Sequence, residues 1–176
     1  IPRTQAKTIN LGLFYGMGKN KLQAELGVNK ERAQELFQQY HGRVPFVKQL
    51  MDAVMKRAQD SGKIRTLLGR LCRFHLWEPN YFGIHKALPH EEALLEHGPG
   101  IRRAYTYKAL NKLIQGSAAD MTKKAMIELY KAGITPHIQV HDELDISVKD
   151  DKQAKQIVEI MESAVGLEVP NKVDYE

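Results

Sequence analysis

Apolar positions in this chain recur mostly three and four residues apart, the spacing of one helix face, and alternate only briefly as strands do. Residues 1–16 form a first helical stretch that breaks at Gly16-Met17-Gly18. Residues 19–26 predict a short helix stopped by Gly27, and Asn29 is placed to cap a third carrying Ala33, Leu36, Phe37 and Tyr40 on one side. Pro45 can open a fourth through Val47, Leu50, Met51, Val54 and Met55, stopping near Gly62. Residues 63–74, with Ile64, Leu67, Leu68 and Leu71 around Gly69, predict a β-hairpin. Residues 75–100 are punctuated by Pro79, Gly83, Pro89, Gly98, Pro99 and Gly100, and predict loops with one short helix over 91–96. A long helix is expected over 101–131, then strands over 135–140 and 143–148, and a last helix from Asp150-Asp151 bearing Ala154, Ile157, Val158, Ile160 and Met161. The predicted fold class is α+β: mostly helical, with an incomplete antiparallel sheet and a hairpin. Three segments follow, 1–62, 63–100 and 101–176.

Composition narrows the partners. The net charge of +5 conceals a polarity: residues 1–141 carry 22 Lys and Arg against 11 Asp and Glu, whereas residues 142–176 carry 4 against 10. A basic majority suits a polyanion, and the acidic remainder contains Asp142, Glu143 and Asp145. The single cysteine, Cys72, excludes an intrachain disulfide framework and fits a reducing cytoplasm. No apolar run reaches the roughly 18 residues that span a bilayer, and no signal peptide is apparent, so no membrane partner is expected.

Chemistry concentrates at four places. Arg3, Lys7, Leu11 and Tyr15 lie at four-residue steps, drifting about 40° per step into one slightly spiral stripe closed by Gly16. Thr4, Gln5, Thr8 and Asn10 keep the surrounding surface polar. Two cations, an apolar contact and an aromatic in line can hold an anionic, sugar-bearing ligand; the stripe alone is equally compatible with a solvated amphipathic helix. Near the other end Ile138-Gln139-Val140 leads into His141-Asp142-Glu143, a carboxylate pair at a strand turn that can hold a divalent metal. Asn111 and Gln115 share a helix face, and amides both donate and accept hydrogen bonds. The cations Arg65, Arg70 and Arg73 on the hairpin suit backbone phosphates; a basic surface hairpin has the same pattern. His85, His90 and His97 lack the spacing of a zinc-protease helix and favour no metal site.

Three of these blocks carry a resemblance. Arg-x3-Lys-x3-Leu-x3-Tyr-Gly, Gln115-Gly116-Ser117-Ala118-Ala119-Asp120 with Asn111 ahead of it, and Gln139-Val140-His141-Asp142-Glu143-Leu144 resemble, in order and separation, the conserved blocks of family-A DNA polymerases. The resemblance covers nearly the whole chain. It implies helical fingers over 1–62, a hairpin and insertion over 63–100, and part of a palm over 101–176. It also implies template-directed addition of deoxynucleotides to a primer 3′ end through two Mg²⁺ ions. Asp142 would be a metal ligand, with Glu143 beside it. Arg3 and Lys7 would clamp the triphosphate, Lys7 also giving a proton to pyrophosphate. Leu11 would meet the sugar, and Tyr15 and Gly16 the nascent base pair and template. Asn111, Gln115 and His141 would lie near the primer terminus, where minor-groove acceptors report pairing geometry.

Departures from the family are specific. Leu11 stands where relatives carry Phe or Tyr, and Tyr107 where many carry Arg, so that Arg102, Arg103 or Lys108 would have to reach the primer phosphate. Glu143 after the His-Asp pair favours DNA synthesis over a single-subunit RNA polymerase, which has Ser there. The family's other metal-binding aspartate belongs to a motif ahead of residue 1. The chain is therefore expected to be an internal fragment, inactive alone, and a noncatalytic DNA-binding role is the competing reading. Leu11 and the insertion suggest a phage enzyme working in the cytoplasm of a bacterial host. A processivity partner leaves no mark in the sequence.

Overall fold

The computed structural model describes residues 3–81 and 83–175; the side chains of Thr4 and Gln5 lie outside that description. The chain divides into two compact units, Ile1–Arg65 with Leu71–Leu113, and Thr66–Arg70 with Ile114–Glu176.

The first unit opens with four helices: α1 (Arg3–Phe14), α2 (Lys19–Leu26), α3 (Lys30–Arg43) and α4 (Pro45–Ser61). Local chemistry sets their ends. Asn29 Oδ1 accepts from the Arg32 amide at 2.8 Å, satisfying an otherwise orphaned donor of α3. Pro45 occupies the first turn of α4, where its missing N–H costs nothing. Gly62, left-handed at φ 68°, closes α4 by donating to the Ala58 carbonyl. The hairpin follows as β1 (Lys63–Arg65) against β2 (Leu71–Arg73), with Ile64 opposite Cys72. Val54, Ala58, Ile64, Phe74 and Ala109 form the core beside it, joined by Cys72 and Leu113.

The stretch expected to be loops is instead organised. β3 (Leu76–Pro79) is the middle strand of an antiparallel sheet between β4 (Leu88–Pro89) and β5 (Ile101–Arg103), and α5 (His90–His97) packs against it. The prolines that argued against strands sit where they do least harm: Pro89 on an edge strand and Pro79 at a strand end. Trp77 stacks under the Arg103 guanidinium at 4.6 Å and edge-on against His90 at 4.7 Å. His85 lies between Tyr81, at 4.8 Å, and His97, at 6.1 Å. The histidines thus belong to aromatic packing.

The long helix is also shorter than expected. Residues 101–103 are taken by β5, Tyr105 turns left-handed at φ 61°, and a 3₁₀ turn (Thr106–Lys108) precedes α6 (Ala109–Lys131). Pairing with β3 outweighs the helical pattern here.

In the second unit, β6 (Ile138–Val140) and β7 (Glu143–Asp145) form a two-stranded ladder followed by α7 (Asp151–Ser163). Asp150 caps α7 by accepting from the Gln153 amide at 2.8 Å. The core is Leu129, Ile134 and Ile157, with Leu144, Ile146, Ile160 and Met161 against it. β7 stops at Asp145, short of the expected 148; Leu144 and Ile146 reach the core while Val148 stays 51% exposed.

The hairpin tip, residues 66–70, belongs to this second unit and is tied to α6 by several hydrogen bonds. Thr66 Oγ1 and Arg70 Nη2 both donate to the Asp120 carboxylate. Arg70 Nη2 also donates to the Gly116 carbonyl at 3.0 Å, and the Leu67 amide to Ser117 Oγ at 2.9 Å. Gly116 is needed for this approach: a Cβ there would lie 2.8 Å from Thr66 Cγ2.

Candidate active site and nucleic-acid interface

In the first unit α1 presents the cationic stripe as the spacing predicts. Leu13, 1% exposed, anchors the helix, leaving Arg3, Lys7 and Leu11 on open surface, Leu11 at 46%. Tyr15 is half-buried and meets Phe14 edge-on at 5.4 Å. Gly16 ends the stripe at φ 85°, where a Cβ would also come within 3.3 Å of Met51 Sδ.

In the second unit the register Val140 opposite Glu143 leaves His141 and Asp142 as a two-residue turn. His141 takes the left-handed conformation at φ 55°, and its carbonyl accepts from Gln139 Nε2 at 3.0 Å. Tight hairpins need positive φ at a central position, and histidine tolerates it better than branched residues. Asp142 is thereby lifted to the apex, exposed, and its carboxylate has no hydrogen-bond or ion-pair partner among the described residues. Glu143 and Asp145 share the face of β7 opposite Leu144. A groove of about 660 Å³ opens beside them, lined also by Ile157, Val173 and Tyr175. Its oxygen donors are those a hard divalent cation prefers.

Asn111 and Gln115 are both exposed on α6, and Arg65 is exposed on β1. Arg70, expected on a phosphate, is instead engaged by Asp120 and Gly116. Asp120 is the functional-looking residue that the sequence reading left without a role. Only 7% exposed, it would have its carboxyl raised by burial, but hydrogen bonds from Thr66 and Arg70, the Arg70 charge and the Leu68 amide hold it below the usual carboxylate range. The signal was present: Asp120 is the sole acid between Glu96 and Glu128. The stripe lies wholly in the first unit and the acidic turn wholly in the second.

The first unit thus carries an exposed cationic helix and the second an exposed acidic turn, on an α+β framework. Residues 2–176 match the model of DNA polymerase family A, and the chain belongs to that family. It is 35% identical to a DNA-directed DNA polymerase of Pseudomonas phage M6, over all of this chain and 28% of that relative. It is 34% identical to DNA polymerase I of Geobacillus stearothermophilus, over 98% of this chain and 19% of that protein. Among solved structures, the polymerase domain of M. smegmatis Pol1, in complex with DNA primer-template and dNTP, superposes with a TM-score of 0.72 at 30% identity, covering 96% of this chain and 28% of that one. The chain thus spans less than a third of the length of each.

Proposed function

We propose that the protein carrying this chain is a DNA-directed DNA polymerase that extends a primer 3′ end with deoxynucleotides. The observation that carries this is Asp142: an exposed carboxylate at the apex of a tight turn, without a hydrogen-bond or ion-pair partner among the described residues, in a chain of this family. Such a group is open to an external cation.

Asp142 is the proposed ligand of divalent ions, Mg²⁺ by its oxygen preference, with Glu143 beside it and a further carboxylate supplied from outside these residues. Bound there, the ions would lower the pKa of the primer hydroxyl and stabilise the leaving oxygens. Arg3 and Lys7 contact the triphosphate, sharing the charge that develops as pyrophosphate leaves, and Lys7 donates a proton to it. Leu11 packs on the sugar, Tyr15 on the nascent base pair, and Gly16 leaves backbone room beside the template. Asn111 and Gln115 probe minor-groove acceptors of the primer-template end. His141 hydrogen-bonds near the primer terminus, and Arg65 meets a backbone phosphate.

The test is primer extension by the protein expressed from its full reading frame, beside Asp142→Ala. Wild type should incorporate deoxynucleotides, and the variant should lose at least about a thousandfold in rate while still binding primer-template, as expected when a group acting on the transition state is removed. A wild-type protein that binds DNA but incorporates nothing would make this a binding module. Preferential incorporation of ribonucleotides would make it an RNA polymerase.

A further inference from the structure

From β5 to the turn before α6 three cations stand close in sequence, Arg102, Arg103 and Lys108, and their surroundings differ sharply. Arg102 Nε donates to Glu78 Oε1 at 3.0 Å, so its charge is matched across the sheet. Arg103 is turned inward: Nε donates to the Gln59 carbonyl at 3.1 Å and Nη1 to the Phe74 carbonyl at 3.0 Å, with its plane over Trp77. Lys108 has no anionic partner among the described residues. Its ammonium is held instead against two rings, 5.1 Å from the centroid of Tyr105 and 5.5 Å from that of Tyr107. Arg102 and Lys108 are exposed, whereas Arg103 is half-buried.

The backbone is bent to make this arrangement. Tyr105 adopts φ 61°, which a bulky residue occupies only against steric resistance, and its carbonyl receives the Lys108 amide at 3.0 Å. That turn gathers the two rings and the ammonium immediately before α6, with Asn111 one helical turn further on. Two exposed aromatics around an unneutralised cation are well suited to a nucleic-acid backbone. The rings restrict the lysine before binding, reducing the ordering that a phosphate contact demands, and their hydroxyls add donors.

We propose that Lys108, held between Tyr105 and Tyr107, is the residue of this segment that binds a backbone phosphate of duplex primer-template DNA. The inference rests on the polymerase reading for its ligand. It assigns the contact to one cation of three.

The test measures binding of a primer-template duplex across salt concentrations, using the protein from its full reading frame. Neutralising one phosphate contact removes about 0.9 from the slope of log K against log salt, equivalent to about an eightfold loss of affinity at 0.1 M relative to 1 M salt. Lys108→Ala should show that loss, Lys108→Arg should restore the slope, and Arg102→Ala should leave it unchanged. Thermal melting of each variant checks that the fold is kept. If Lys108→Ala binds with the wild-type slope while wild type extends primers normally, the assignment is wrong and the polymerase reading survives. If wild type neither binds nor extends the duplex, the polymerase reading fails first, and this assignment with it.

Discussion

Leu11 and Gly16 show how much a single position on the cationic stripe can decide. In the proposed polymerase Leu11 would offer the sugar a dispersion contact, with neither a ring to stack nor a hydroxyl to donate. Leu11→Tyr in the full-length protein should increase dideoxynucleotide incorporation relative to deoxynucleotide by roughly tenfold or more, about 1.4 kcal/mol of changed discrimination. Competitive primer extension reads this directly, and an unchanged ratio would remove Leu11 from sugar selection. Gly16 sits at φ 85° with Met51 close by. Gly16→Ala should therefore destabilise by about 1 kcal/mol or more, seen as a lower urea midpoint. The residues of the stripe and of the acidic turn were readable in advance because spacing four on a helix, and a short polar break between two apolar runs, are local properties.

At the scale of elements, the hairpin tip and α6 stand or fall together through Asp120. Its partners are unequal: Asp120 has 8% of its side chain exposed, Arg70 43%. Removing Arg70 strands a buried carboxylate, whereas removing Asp120 leaves a guanidinium that water can reach. Arg70→Ala should cost about 2 kcal/mol, less than the roughly 3–5 of a fully buried pair, and Asp120→Ala measurably less. Urea unfolding of the two variants checks the order. Because the folded carboxyl titrates below its unfolded value near 3.9, its contribution is complete above that pH and is lost as pH falls through the lower, folded value. Asp120→Asn should flatten stability against pH in that acid range only. This element pairing was not readable in the sequence, since Thr66 and Asp120 are 54 residues apart. The same holds for β3, whose partners come from two later segments, and for the start of α6, where strand pairing claimed residues that have helical spacing.

At the scale of the whole molecule, the charge polarity of the sequence separates a basic majority from an acidic end. Among the described residues no group of three His, Cys, Asp or Glu is placed to hold a metal ion, and the proposed site has only Asp142 and Glu143. Two ions require more oxygen ligands than these supply. The 176-residue chain alone should accordingly show no primer extension in Mg²⁺; incorporation above background would mean that the ligand set is complete within it.

The amino-acid order was enough to place the ends of α2 and α4, the cap at Asn29, the start of α7 and the turn between β6 and β7. These depend on neighbours within a turn or two, where spacing and backbone preference act directly. It could not settle which cations face a ligand and which are neutralised within the fold. Arg70, Arg102, Arg103 and Lys108 look alike along the chain, yet Asp120, Glu78, two main-chain carbonyls with Trp77, and a pair of tyrosines give them different surroundings. A charge takes its role from whatever lies within a few ångströms, and that is a property of the folded chain.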